Sequence, residues 1–203
     1  MSVQSLSKEI SACRICVERP VGKPLPHEPR PVAVLSEKAR LMIIGQAPGT
    51  RVHDSGRPFT DRSGDRLRDW MGISEEDFYN ADKLAIAPMG FCFPGLDHKG
   101  GDLPPRKECA AKWQDKVLTA MPQVELILLI GMYAQKYHLR EKAKKTLTET
   151  VREWESIYIR TDKPRFLPLP HPSWRNTGWI KKNPWFETDL LPVLREEISA
   201  YIK

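Results

Sequence analysis

The sequence has no apolar run long enough to span a membrane, and residues 1–8 lack the apolar core of a secretory signal. We therefore expect a cytoplasmic protein with no membrane partner. Cysteine is also scarce, with 4 residues in a chain of 203. In a reducing compartment such thiols more often bind a metal or lie buried than form disulfides, so no disulfide framework is predicted.

Several catalytic motifs are missing as well. The chain contains no P-loop with its lysine and no cluster of metal-binding carboxylates, which argues against a hydrolase of free nucleotides. The cysteines do not form the two Cys-x-x-Cys pairs of a zinc ribbon. Cys13 and Cys16 are a close pair, whereas 16 residues separate Cys92 from Cys109.

The composition is that of an ordinary globular protein. Hydrophobic residues make up 40% of the chain and charged residues 29%, which predicts one domain over residues 1–203 and a monomer. Lysine and arginine exceed aspartate and glutamate by 32 to 26, a net charge of +6. This balance favours a polyanionic partner, although a solvated basic surface would produce it too.

Apolar runs of strand length alternate with helical patterns along the chain. The runs lie at residues 41–45, 84–87, 124–130 and 166–169. The helical patterns lie at residues 1–12, 63–71, 107–120, 134–139, 142–155 and within 184–202. Ser63 is expected to cap the second helix, and residues 154–158 also allow the start of a further strand. The alternation predicts a three-layer α/β/α sandwich around a central, mostly parallel four-stranded sheet.

The first 31 residues have a different character. Five prolines lie between residues 17 and 31, which predicts an extended segment that wraps the domain and carries the first cysteine pair.

Two short motifs follow predicted strands at opposite ends of the chain. Gly45-Gln46-Ala47-Pro48-Gly49 comes after the run 41–44, and His171-Pro172-Ser173 comes after the run 166–169. The carboxyl ends of parallel strands meet at one edge of a sheet, where ligands of α/β proteins bind. The two glycines of the first motif allow a sharp turn that exposes peptide N–H groups. Both motifs therefore indicate one ligand site.

The first motif continues to Gly56-Arg57-Pro58-Phe59 and Gly64. This stretch resembles the uracil-DNA glycosylase superfamily, and most of all its family 4, the iron–sulfur type. The resemblance implies a DNA glycosylase that hydrolyses the N-glycosidic bond of uracil, or of another deaminated or damaged base, flipped out of DNA. The residues that it implies for base binding are Gly45, Ala47, Pro48, Gly49 and Phe59. Phe59 would stack on the base, unless it is an ordinary core residue.

His171 matches the second motif of the same superfamily. The resemblance implies that its imidazole faces the uracil O2 and stabilises the departing base as an anion, for which a neutral N–H suffices. The residues implied for DNA contact are Ser63, Ser173, Trp174 and Arg175. Trp174 would fill the gap left by the flipped nucleotide, or it lies buried under the terminal helix.

The cysteine spacing is similar to that of family 4. The resemblance implies that Cys13, Cys16, Cys92 and Cys109 hold a [4Fe–4S] cluster, with zinc or no metal as alternatives. A cluster would join the proline-rich segment to the loop over residues 94–105, in a structural role.

The family pattern fails at the position of its usual acid and at that of its usual asparagine. Gln46 replaces an acid and can orient water but cannot act as a base, while Ala47 offers no chemistry. Pro88 lies near the position of the base-reading asparagine. Asp61 lies where the family pattern has a small residue, and it adds a carboxylate near Phe59. We assign catalytic roles to His171, Gln46 and Asp61.

Other interpretations of these departures remain open. Asp54 could position the water instead of Asp61, with help from His53 in either case, or both aspartates are turn residues or helix-cap neighbours. If the missing groups abolish catalysis, the protein is a glycosylase-fold module that binds modified or abasic DNA.

Overall fold

The computed structural model describes residues 1–160 and 163–202. Their four strands form one sheet, and every pairing is parallel, in the order β2-β1-β3-β4. The strands are β1 (Leu41–Ile44), β2 (Leu84–Ile86), β3 (Leu126–Ile130) and β4 (Arg165–Leu169). The predicted runs therefore hold, with ends that differ by one or two residues.

The central strands are apolar at every position because both faces of the sheet are covered. Met42 and Ile44 of β1 point into one core, and Leu41 and Ile43 point into the other. All four side chains are fully buried. Successive side chains of a strand point to opposite faces of the sheet. Because both faces are buried here, neither favours polar residues, and this explains the unbroken hydrophobic run.

Eleven α-helices occur in the described ranges. They are α1 (Val3–Ser11), α2 (Ile15–Glu18), α3 (Thr50–Ser55), α4 (Arg62–Met71), α5 (Glu75–Tyr79), α6 (Lys107–Ala120), α7 (Met132–Leu139), α8 (Leu147–Arg152), α9 (Trp154–Arg160), α10 (Thr177–Lys182) and α11 (Leu191–Ile202). Helices α1, α6 and α7 contribute to one core, and α4 and α11 to the other. The molecule is the three-layer α/β/α sandwich that the sequence predicts.

The expected helix over 142–155 is wrong in extent. A 3₁₀ turn over Arg140–Lys142 precedes α8, which begins after a capping box in which Thr146 and Glu149 satisfy each other's backbone N–H groups. The further strand at 154–158 is also wrong, because those residues lie in α9. Trp154, Ile157 and Tyr158 follow the i, i+3, i+4 spacing of a single helix face.

The predicted cap at Ser63 is wrong too. Asp61 is the N-cap of α4, since its carboxylate accepts a hydrogen bond from the backbone N–H of Gly64 at 3.3 Å. Ser63 lies inside the first turn of the helix and is buried.

The proline-rich segment contains the end of the short helix α2 and continues over residues 19–31 without helix or strand. Between α2 and β1 the chain forms one isolated antiparallel bridge, in which Val34 exchanges backbone hydrogen bonds with Ile86. This bridge covers the outer edge of β2, an edge that would otherwise offer free backbone groups to other chains. Within the part of the chain that the structure describes, no helix has the length and apolarity needed to cross a membrane.

Candidate functional site

A solvent-open cavity lies at the carboxyl ends of the strands. The loop after β1 forms one wall, residues Ile86 and Pro88 at the end of β2 form another, and His171 approaches from the loop after β4. The first motif is thus brought against the second although more than 120 residues separate them. A crevice outside the carboxyl ends of parallel strands is the usual ligand site of such sheets.

All eight of the predicted catalytic and base-binding residues line this cavity. They are Gly45, Gln46, Ala47, Pro48, Gly49, Phe59, Asp61 and His171, joined by Ser63. Sequence reasoning missed further lining residues, namely Val32, Val52, Pro58, Ile86 and Asp102. The signal that could have found Asp102 is weak, because one acidic residue in a loop of glycines and prolines resembles any turn residue.

Phe59 has a constrained position at the cavity wall. Its φ of 55° is in the left-handed region, and its carbonyl oxygen accepts a hydrogen bond from the Tyr79 hydroxyl at 3.0 Å. The ring is half-buried and meets Phe78 edge-on, with 5.9 Å between centroids. A methyl group on Gly45 would lie 3.5 Å from the Phe59 Cζ, an ordinary van der Waals contact, so the ring lies directly beside this turn. Phe59 therefore both packs on the core and lines the cavity.

Gly64 explains the last position of the extended first motif. A Cβ there would overlap the Phe59 carbonyl oxygen. We expect Gly64→Ala to force the Phe59 backbone away and to destabilise the protein by about 2 kcal/mol, as overpacking does in other cores. Thermal unfolding measures the loss.

Gly178→Ala is the matched control for that variant. No atom lies within 4 Å of a Cβ built on Gly178 in α10, so this substitution should be neutral or slightly stabilising. Equal melting temperatures for the two variants would contradict the steric explanation.

His171 is held in a defined tautomer. Its Nδ1 accepts a hydrogen bond from the Ser173 backbone N–H at 3.2 Å, so in the neutral ring the proton lies on Nε2. The Asn176 side chain donates to the His171 carbonyl oxygen at 2.7 Å and fixes the backbone of the turn. The imidazole is thereby oriented as a hydrogen-bond donor through Nε2.

The electrostatic surroundings of His171 favour this neutral form. Burial lowers the pKa of His171 below its usual value, and the nearby Asp61 carboxylate opposes this shift only in part. A neutral imidazole with a proton on Nε2 can donate to a developing anion without transferring its proton.

The positions at which the family pattern fails also face the cavity. Pro88 has no N–H, and its carbonyl oxygen already accepts a hydrogen bond from the Gln114 amide at 2.9 Å. Gln46 is a half-buried amide on the opposite motif. Neither residue can remove a proton from water at neutral pH.

Asp61 and Asp102 are the carboxylates that line the cavity. The proposed partners His53 and Asp54 are not among its lining residues. His53 instead packs against His27 and Phe93, with ring centroids 4.3 Å and 5.7 Å away. The His53 ring therefore contacts these rings rather than the residues that line the cavity, and its help in positioning the water stays a prediction.

A groove continues from the cavity along the surface. It is lined by Gly49, Thr50, Arg51, Val52, Asp61, Arg62, Ser63, Asp102 and Trp174. Trp174 is 67% exposed, which contradicts the alternative that it lies under the terminal helix. The Arg175 guanidinium lies 6.0 Å from the centroid of the Trp174 ring, while the Ser173 hydroxyl accepts the Arg175 backbone N–H. Arg51, Arg62 and the exposed ring of Trp174 thus border the opening.

The four cysteines line a second, smaller cavity under the proline-rich segment. Cys13 is half-buried and the other three are buried, and none forms a disulfide. Backbone and ring N–H groups point at two of the sulfur atoms: Phe91 N lies 3.3 Å from Cys109 Sγ, and Trp113 Nε1 lies 3.3 Å from Cys13 Sγ. In the described residues no three His, Cys, Asp or Glu side chains converge on a point where a metal ion could bind.

Burial dominates the chemistry of these thiols. It raises the pKa of Cys16 to about 11 and of Cys92 to about 12, and it raises that of Cys109 as well. The groups are therefore either neutral thiols or thiolates that a bound cation stabilises. The N–H donors at Cys13 and Cys109 fit the second state, because a thiol sulfur is only a weak acceptor.

The fold and the cavity define a parallel α/β protein with a ligand site at the carboxyl ends of its strands. A sequence model of the uracil DNA glycosylase superfamily matches residues 32–195, well over half of the chain. The chain belongs to this superfamily. Membership supports DNA glycosylase function in general terms.

Two solved structures are distantly similar. One is the solution NMR structure of a candidate uracil DNA glycosylase from Methanosarcina acetivorans, with 17% identity, a TM-score of 0.47 and coverage of 81% of this chain and 94% of that one. The other is the crystal structure of wild-type SMUG2 from Pedobacter heparinus, with 15% identity, a TM-score of 0.42 and coverage of 81% and 75%. Family membership rests on the sequence match alone.

Proposed function

We propose that the protein is a monofunctional DNA glycosylase that hydrolyses the N-glycosidic bond of uracil, or of another deaminated or damaged base. The observation that carries the proposal is the meeting of Phe59 and His171 at one cavity beside the Gly45–Gly49 turn. An aromatic face, a neutral N–H donor and a backbone that a ligand can approach closely are what a flipped base requires.

The residues divide the work as follows. The base stacks on Phe59 and lies against the turn over 45–49. As the glycosidic bond breaks, charge develops on a base carbonyl oxygen, and His171 Nε2 donates a hydrogen bond to it. Gln46 and Asp61 orient the water that attacks the sugar. No lysine is found among the residues that line the cavity, so Schiff-base chemistry is not part of the proposal.

Cys13, Cys16, Cys92 and Cys109 would hold a [4Fe–4S] cluster, as the spacing in family 4 suggests. Their common cavity and the N–H groups directed at sulfur support this assignment. Bound there, the cluster would supply structural cross-linking of the N-terminal segment to α6.

DNA would run along the groove, with phosphates near Arg51, Arg62 and Arg175 and with Ser63 and Ser173 at its border. Trp174 would then stack on the bases that flank the extruded nucleotide. Trp174→Ala should weaken binding of a uracil-containing oligonucleotide about tenfold, since one base–aromatic stack contributes roughly 1–3 kcal/mol. Fluorescence anisotropy measures the change.

Ile159→Ala serves as the control for that experiment. Ile159 is similarly exposed, at 69%, but lies on α9 away from the groove. Unchanged affinity for both variants would exclude Trp174 from the DNA interface.

The activity itself is tested with single- and double-stranded oligonucleotides that carry one uracil or one hypoxanthine. Incubation followed by alkaline cleavage should give a strand break at the modified base with the wild-type protein. A His171→Ala preparation, purified in parallel, reveals contamination by a host glycosylase. Absence of cleavage on every substrate would overturn the proposal.

Gln46 and Pro88 suggest a second candidate function. Gln46 replaces the usual water-activating acid, and Pro88 lies near the position of the usual base-reading asparagine. A protein of this kind would bind modified or abasic DNA without cutting the glycosidic bond. Tight binding of those oligonucleotides without alkali-labile sites would favour this function.

A further inference from the structure

We propose that Asp102 is a further catalytic carboxylate, which together with Asp61 holds the attacking water. The inference rests on the proposed glycosylase function and specifies how the water is activated. It answers the problem raised by Gln46 and Ala47, neither of which can accept a proton at the first motif.

Asp102 reaches the first motif from a different element. It lies in the loop between β2 and α6 and lines both the cavity and the groove. A methyl group built on Gly49 would come within 3.3 Å of Asp102 Oδ2, so the carboxylate lies directly against the last residue of the motif. The first motif has Gln46 and Ala47 where an acidic residue is usual. A different loop thus brings a carboxylate to this turn.

The two carboxylates at the cavity differ in their hydrogen bonds. One oxygen of Asp61, Oδ1, accepts the Gly64 N–H as the cap of α4. Among the described residues, no hydrogen bond or ion pair engages the side chain of Asp102. Its lone pairs are available to water at the place where the cavity opens into the groove.

Backbone hydrogen bonds hold Asp102 in place. Leu96 and Asp102 form an antiparallel bridge, and Leu103 N donates to Gly95 O at 2.9 Å. Within the turn, the Asp97 carboxylate accepts the N–H groups of Lys99 and Gly101 at 2.8 Å and 2.9 Å. These bonds fix the backbone of the turn and so place Asp102 at the mouth of the cavity before substrate arrives.

The surroundings of the Asp102 carboxyl raise its pKa. Burial raises the pKa of Asp102, Arg175 opposes the shift, and the Asp61 carboxylate raises it further. Arg51 and Arg62 also border this groove. Asp102 therefore takes up a proton at a higher pH than an isolated aspartate.

The reaction balances without any added reagent. The water oxygen forms a bond to the sugar C1′ while the bond from C1′ to the base nitrogen breaks, and its electron pair leaves with the base. Asp102 accepts a proton from the water while Asp61 accepts a second hydrogen bond from it. The proton then passes to the base anion through solvent, leaving a neutral free base and a hydroxyl group on C1′.

The test measures single-turnover excision from a uracil-containing oligonucleotide, or from whichever substrate the wild-type protein cleaves. Asp102→Asn should lower the rate about 100-fold with little change in substrate affinity, in line with general-base contributions elsewhere. Asp69→Asn removes the same charge from an exposed site on α4 and should leave the rate unchanged. The double variant with Asp61→Asn should lose less than the product of the two single losses, because both groups hold one water.

The pH profile provides a separate readout. The wild-type rate should fall on the acid side at a pH above the usual pKa of aspartate, and this limb should be shifted or lost in Asp102→Asn. An Asp102→Asn protein that melts like the wild type and excises within threefold of its rate would overturn the inference. Failure of the wild-type protein to excise any base would instead overturn the proposed function on which the inference rests.

Discussion

Replacing His171 with alanine should lower the single-turnover rate of base excision by about 10³-fold, at the upper end of what one oriented donor to a developing anion contributes. The geometry explains the expected size of the effect. The Ser173 N–H occupies Nδ1, so Nε2 carries the proton, and burial keeps the ring neutral. The donor is in place before the base acquires charge, and no reorganisation is needed when the bond breaks.

One further variant and the dependence of the rate on pH add to this test. His171→Gln keeps an N–H donor on a longer side chain and should lose less activity than His171→Ala. Because the pKa of His171 is lowered, its donor form persists as the pH rises from 7 to 9, and this residue should impose no loss of rate over that range. A His171→Ala protein with a near-wild-type rate would show that the imidazole has no part in the chemistry.

Replacing Cys109 with serine should abolish iron binding and destabilise the protein by about 4 kcal/mol or more, as the loss of a structural metal site does. For a domain of this size that corresponds to a fall in melting temperature of roughly 8–16 °C. Cys109 is buried in the first turn of α6, and its sulfur accepts the Phe91 N–H. The wild-type protein should be brown, with iron and sulfide each near four per chain by chemical analysis.

Cys13→Ser separates the cluster from its alternatives. Cys13 is half-buried, so if the thiols bind nothing, its replacement should change stability much less than replacement of Cys109. If a cluster is bound, the two variants should lose iron alike, since each removes one of its ligands. One zinc per chain, or no metal in anaerobically purified protein, would contradict the iron–sulfur assignment.

The carboxylates show most clearly how far local sequence carries. The Gly-Arg-Pro-Phe stretch placed Asp61 near the site, and the structure puts it at the cavity and also at the cap of α4, where Ser63 was expected. The local pattern did not show that the backbone has a positive φ at Phe59, two residues before the cap. Asp102 carried only the weak signal of an acidic residue in a loop of glycines and prolines, because its contact with Gly49 depends on the path of the loop after β2.

Hydrophobic periodicity and motif spacing by themselves determined the strands, the parallel α/β architecture and the residues of the first and second motifs. These are local properties, because a strand buried on both faces and a glycine-rich turn leave their pattern within a few consecutive residues. The meeting of residues 45–49 with His171, the exposure of Trp174, the common cavity of the four cysteines and the approach of Asp102 were decided by the tertiary structure. Each of these depends on how distant segments pack around the sheet. The order of the strands and the paths of the loops leave no pattern in a few consecutive residues.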